Sequence, residues 1–205
     1  LWRPWNIDPS WKTQSGQAWF HIDQHPISKP GKQCIQGLIN LLPTSKEIGG
    51  NVVIPKSHNF FKDIPEEYKE RVERLPLDID HFRFPHDDPK LSSEPAVMAH
   101  MEPGDMLLWD SRTIHCSSSG TSLPEGTNDL IRAASLICMM PKELSSKEIL
   151  EKRIHAAENL VSTTNWTNDF RNADEFPIIL EAENRDQYKW PKKPNLSEYQ
   201  KELIA

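Results

Sequence analysis

His21-Ile22-Asp23 sets an imidazole and a carboxylate two residues apart, directly after the aromatic run Ala18-Trp19-Phe20. On a β-strand, positions i and i+2 project to one side, so these two side chains would point together. A second histidine from far along the chain would complete a set of two imidazoles and one carboxylate on one face. Such a set suits non-heme Fe(II), because three coordination positions stay open for a co-substrate and oxygen. The triplet alone decides little. With eight histidines in 205 residues, a His-x-Asp triplet arises by chance about 0.5 times. Another copy, His86-Asp87-Asp88, lies in a polar, proline-flanked stretch without an apolar strand to hold it. Metal ligands need rigid elements inside an apolar shell, which favours His21 and Asp23. The bland alternative is a pair at the edge of a core.

Two further residues could join them. His115 ends a stretch that runs from Gly104-Asp105 through the apolar Met106-Leu107-Leu108-Trp109 to Thr113-Ile114-His115. Arg132 then interrupts the apolar segment Leu130 to Ile137. A guanidinium inside such a strand needs a partner, because an unpaired buried charge is heavily penalised. A carboxylate ligand gripped bidentately would satisfy it. The alternative is an edge strand with Arg132 turned to solvent.

These residues must be positioned by a framework, and composition limits its kind. Apolar residues make up 37% of the chain and charged residues 26%, with a formal charge of −6. An acidic chain is a poor general surface for nucleic acid. No run approaches the roughly 20 apolar residues that span a bilayer, so neither nucleic acid nor membrane is an expected partner. Cys34, Cys116 and Cys138 are an odd number without paired spacing. Neither a disulfide framework nor a zinc knuckle is indicated. With no signal peptide in view, an intracellular, cytoplasmic location is expected.

Seventeen prolines against eight glycines punctuate short strands. Cys34 to Leu42 reads as a strand closed by Pro43, and Asn51 to Ile54 as another after the Gly49-Gly50 turn. Glu66 to Leu75 has helical spacing behind Pro65. Asp78 to Glu94 reads as a long polar loop. Ala96–Met101 and Met106–Trp109 are strand-like, joined by the tight turn Glu102-Pro103-Gly104-Asp105. Leu130 to Met140 is the last strand. A helix capped by Ser145 or Ser146 is expected to run to about Leu160. The pattern is mainly β with helices, of sandwich or barrel type. The expected division is a core over 1–142 and a C-terminal helix and extended tail over 143–205, packed on that core.

Four segments in this order resemble the phytanoyl-CoA dioxygenase-like family of Fe(II)/2-oxoglutarate oxygenases. They are Trp19-Phe20-His21-Ile22-Asp23-Gln24, Gly49-Gly50-Asn51-Val52-Val53-Ile54-Pro55-Lys56-Ser57-His58, the Gly104 to His115 stretch, and the Arg132 strand. Val161 to Trp166 also resembles a tail motif of some members. The resemblance implies a double-stranded β-helix, the jelly-roll or cupin-like fold. It implies Fe(II) held by His21, Asp23 and His115, and 2-oxoglutarate held by Arg132 through its distal carboxylate. O2 and a small molecule would be the remaining substrates, with hydroxylation the outcome. Halogenases of this kind leave the carboxylate position open for chloride, and Asp23 fills it here. Two features depart from the family pattern. Only about 20 residues precede the His-x-Asp strand, so further material is expected before Leu1. The stretch from Ser117 to Asp129 is also long.

Other residues follow from strand parity. Trp19 shares a face with His21 and Asp23 and would wall the pocket. Gln36 and Asn40 share a face of the next strand, which suggests a lined cavity, with Gln36 towards the co-substrate. Arg112 would meet an anionic substrate. His58 belongs to a structural turn, and His25, His81, His100 and His155 read as surface or loop histidines. The competing functions are a non-catalytic cupin-like binding domain and a zinc-dependent hydrolase built on the same ligands.

Overall fold

Phe20, Ile22, Phe82 and Phe84 alternate with polar neighbours along two strand segments, and this two-residue period decides which sheet face is dry. The computed structural model describes residues 19–77, 79–122, 129–161, 163–164, 166–170 and 192–204. Its contacts fall into two units, Leu1–Ile137 and Cys138–Ala205. The described part of the chain is mainly β, with few helices.

Eight strands occur among the described residues: β1 (His21–Ile22), β2 (Ile35–Asn40), β3 (Gly49–Val53), β4 (Phe82–Arg83), β5 (Val97–Met98), β6 (Met106–Asp110), β7 (His115–Ser119) and β8 (Ala134–Met139). A five-stranded sheet has the order β4-β1-β7-β3-β5, and a three-stranded sheet the order β6-β2-β8. Register is explicit where the site lies. His21 pairs with Arg83 on one side and with His115 on the other, and Val53 pairs with His115.

One face of the five-stranded sheet carries the core, where Ile22, Phe82 and Phe84 join Ile54, Phe61, Ile64, Val72 and Ile114. A 3-10 segment (Ser57–Asp63) and two short helices, α1 (Ile64–Glu67) and α2 (Lys69–Glu73), supply the covering residues. Burying each of these large side chains contributes roughly 1.5–3 kcal/mol. The single helix expected over Glu66 to Leu75 is thus two, preceded by a 3-10 segment. Tyr68 breaks it with φ −117° and ψ 33°. Its ring packs edge-on against Phe82 and Phe84, and its hydroxyl donates to Asp88. Tertiary contact overrides the local helical spacing.

Other boundaries moved for similar reasons. The expected loop from Asp78 to Glu94 contains β4 and a 3-10 turn at Pro89–Ser92. The serines after His115 continue as strand β7, because Ser117, Ser118 and Ser119 pair with Asn51, Gly50 and Gly49. The last strand begins at Ala134, so Arg132 stands before it rather than inside it. The turn into β6 is as expected: Gly104 has φ 93°, and Asp105 accepts from the Glu102 amide at 2.8 Å. On the outer side of β2, a Cβ on Gly37 would lie 2.5 Å from Leu108 Cδ2. Only glycine lets that leucine cross the strand.

In the second unit, α3 (Lys147–Glu158) starts where Ser146 Oγ accepts from the Ile149 amide at 3.3 Å. Arg153 donates to the carbonyls of Trp166 (3.0 Å) and Asp169 (3.2 Å) and so ties the buried Trp166 to this helix. A further helix, α4 (Glu198–Ile204), pairs Lys201 with Glu158 at 3.3 Å. The expected extended tail is helical there, and 171–191 fall outside the described residues. None of the helices described is long and apolar enough to cross a membrane.

Candidate metal centre

β1 and β7 are hydrogen-bonded neighbours, and their pairing puts His21 directly opposite His115. Directly opposed residues of an antiparallel pair share a face, so both imidazoles leave the sheet on the side away from the Ile22 core. Their ring centroids are 4.4 Å apart. Asp23 follows β1, held by its amide donating to the Ser111 carbonyl. Its two oxygens divide between the rings: Oδ1 is 3.2 Å from His21 Nε2 and Oδ2 is 3.3 Å from His115 Nε2. One ligand atom from each residue lies within 4.8 Å of the others, a spacing that could hold a metal ion.

The ring orientations follow from the backbone. His21 Nδ1 is 3.0 Å from the Trp19 carbonyl, and His115 Nδ1 is 2.9 Å from the Thr113 carbonyl. A carbonyl only accepts, so each Nδ1 carries a hydrogen and each ring turns Nε2 to the centre. Two imidazole nitrogens and a carboxylate turned to one point are ligand types that a divalent metal takes. The donor set therefore fits a divalent metal of borderline character. Burial would push the Asp23 carboxyl up, but hydrogen bonds and charge from His115 and His21 overcome it and hold the group well below the usual carboxylate range. Asp23 is thereby kept ionised.

A layer of packing and hydrogen bonds fixes these three. Trp19 stacks on His21 with centroids 4.2 Å apart and planes 7° from parallel. From the facing sheet, Gln36 Nε2 donates to Asp23 Oδ2 at 2.9 Å, while Gln36 Oε1 accepts from Trp109 Nε1 at 3.0 Å. Gln36 thus spends both ends of its amide on Asp23 and Trp109. Gln24, fully buried, donates to the carbonyls of Lys29 and Gly31 and accepts from Ser111 Oγ. It clamps the loop behind Asp23. Ser57 does the same behind His115: its hydroxyl donates to the Ile54 carbonyl and accepts from the Ile114 amide at 2.8 Å.

The remaining sequence candidates fall as follows. Asn40 is fully buried on the Gln36 face of β2, with its amide towards Thr44 Oγ1 at 3.3 Å. Arg132 is 93% buried, which lowers its guanidinium below the usual value. The next residue's carbonyl accepts from the amides of Leu41 and Leu42, so Arg132 stands beside the Asn40 end of β2. Arg112 closes its fork on Asp110, Nε to Oδ1 at 2.9 Å and Nη2 to Oδ2 at 2.7 Å. That pairing raises the guanidinium and, against burial, lowers the carboxyl. His25 is a loop histidine but a fully buried one, and its Nδ1 accepts from the Ile27 and Ser28 amides.

Two residues near the centre escaped the sequence reading. Arg83 lies opposite His21, and His81, just before β4, is near enough for the charges of His21 and Asp23 to act on it. Burial first, then the charges of His21 and Arg83, lower His81 below its usual value, with Asp23 and Asp80 opposing. The signal was present as polar-apolar alternation in His81-Phe82-Arg83-Phe84.

The Phytanoyl-CoA dioxygenase (PhyH) family model matches residues 8–123, more than half of the chain. The chain belongs to this family. A relative from Aspergillus versicolor, Ava biosynthesis cluster protein O, is 30% identical over 164 residues, covering 76% of this chain and 50% of the relative. The phytanoyl-CoA dioxygenase-family chain thus spans about half the length of that protein. Among solved structures, EvdMO1 aligns over 60% of this chain and 23% of its own, at 21% identity and TM-score 0.38. EctD from S. alaskensis with 2-oxoglutarate and 5-hydroxyectoine aligns over 60% and 38%, at 16% and 0.37. The epimerase SnoN in complex with Fe3+, alpha ketoglutarate and nogalamycin RO aligns over 63% and 46%, at 16% and 0.37.

Proposed function

We propose that this chain is the core of an Fe(II)/2-oxoglutarate-dependent oxygenase that hydroxylates a C–H bond of a small molecule. The observation that carries the reading is the convergence of His21 Nε2, His115 Nε2 and the Asp23 carboxylate, with both Nδ1 hydrogens committed to backbone carbonyls. In this reading the two facing sheets are parts of a double-stranded β-helix, and the three side chains hold iron on one face. Bound iron with 2-oxoglutarate and O2 supplies the power to oxidise an unactivated C–H bond, releasing succinate and CO2.

The protein's contribution is positioning and charge. Backbone carbonyls hold both Nδ1 hydrogens, so the two rings are fixed with Nε2 turned to the centre. Asp23 brings the one negative charge and occupies the position that a halide would otherwise take. Gln36 and Trp109 stop the carboxylate from rotating. Arg132, deep beside β2, is the cation for the distal carboxylate of 2-oxoglutarate, where burial strengthens a bidentate grip. Trp19 walls the site on the His21 side.

Anaerobic addition of Fe(II) and 2-oxoglutarate tests the reading. A visible charge-transfer band that needs both additions is expected, followed by succinate formation in air. His115→Ala should abolish the band by losing iron, whereas Arg132→Ala should keep iron and weaken 2-oxoglutarate. Absence of the band and of succinate in the wild type overturns the reading.

A further inference from the structure

We infer that Arg83 and His81 form an oxyanion-binding rim beside the metal centre, so that the primary substrate carries a carboxylate or phosphate group. The role of that anion rests on the oxygenase reading; the rim itself rests on sheet register. His115, His21 and Arg83 stand side by side on β7, β1 and β4, each directly opposite the next. Opposed residues share a face. Phe82 and Ile22, paired in the same register, are both buried in the core on the other face. Arg83 and His81 therefore leave the sheet on the side of His21 and Asp23.

Three stacked groups fix where the charge sits. The Arg83 guanidinium carbon lies 5.2 Å from the Trp19 ring centroid, and the same ring stacks on His21. A cation–π contact of this kind tethers the guanidinium beside Trp19 and His21. Arg83 is exposed, and among the described residues its guanidinium has no acidic partner. His81, also exposed, adds a second donor on the same edge strand. The chain carries a net charge of −6, yet the edge strand beside the centre presents an arginine. An exposed arginine fork beside the centre, without an acidic partner among the described residues, matches an oxyanion of the substrate, which it would anchor while the rest of the molecule reaches the metal. Arg132 is a separate cation: it is buried next to β8, whereas Arg83 is exposed on β4.

Three matched probes test this: hexanoate, hexyl phosphate and the neutral hexanamide, titrated calorimetrically into the full chain with and without Zn(II). Hexanoate or hexyl phosphate should bind and hexanamide should not, and the two anions together tell which oxyanion the rim prefers. Arg83→Gln should weaken the preferred anion about tenfold or more, and Arg83→Lys should restore part of the loss. The anion should bind alongside 2-oxoglutarate and survive Arg132→Ala. Equal binding of hexanamide, an unchanged affinity in Arg83→Gln, or competition with 2-oxoglutarate overturns the inference. The Fe(II)–2-oxoglutarate band is read on the same samples. Its absence defeats the oxygenase reading alone, because the calorimetric comparison of wild type with Arg83→Gln decides the rim without it.

Discussion

Gln36 holds Asp23 by a single hydrogen bond, Nε2 to Oδ2 at 2.9 Å, and Trp109 decides which way the amide of Gln36 faces. An amide can present either end, but an indole N–H only donates. With its oxygen committed to Trp109, Gln36 must offer N–H to the carboxylate. Partners of this kind orient a ligand and tune its basicity. Gln36→Leu should therefore weaken Fe(II) or Co(II) about 10- to 100-fold by direct titration. Trp109→Phe should fall between the wild type and Gln36→Leu. Unchanged affinity in both variants would show that Asp23 needs no such support.

Ser57 is 1% exposed and satisfies the amide next to His115. Removing its hydroxyl leaves a buried N–H without an acceptor, which costs about 1–3 kcal/mol. Ser57→Ala should show that loss in urea unfolding. Because Ile114 precedes His115, a weaker metal affinity should accompany it.

Arg112 and Asp110 form a two-pronged ion pair whose side chains are 20% and 16% exposed. Hydrogen bonds to charged groups of this kind are worth about 1.5–3 kcal/mol. Arg112→Ala should lower stability by that order and leave metal and 2-oxoglutarate affinities unchanged. A selective loss of ligand binding at full stability would return Arg112 to the pocket.

Asp23 has a depressed folded value, so folding favours its ionised form. The stabilisation is present above the ordinary carboxylate range, near pH 4, and is lost as pH falls through the folded value. Asp23→Asn removes the group. The stability gap between wild type and Asp23→Asn, measured without metal, should be present at pH 5 and shrink below about pH 4.

His21 and Asp23 stood out in the sequence by their place after an aromatic run, the family resemblance added His115, and the structure brings the three together. The Ser146 cap and the Glu102–Asp105 turn were legible for local reasons, since their partners lie within three residues. What escaped depends on distant partners. β4 is two residues long and becomes a strand only by pairing with β1. The serines of β7 lack strand propensity and are drafted by β3.

The row formed by His115, His21 and Arg83 makes strand alignment itself a functional variable. Sliding β1 by one position would bury its imidazole among Phe82 and Ile54 and turn Ile22 towards the metal, while the loops on either side stayed intact. Length changes therefore divide sharply by location. An extra residue in an exposed turn away from the centre leaves the donors where they are, whereas one inserted between Phe20 and Asp23 inverts them. Homologues of this chain should vary freely in loop length yet share an unbroken count from Trp19 to Asp23.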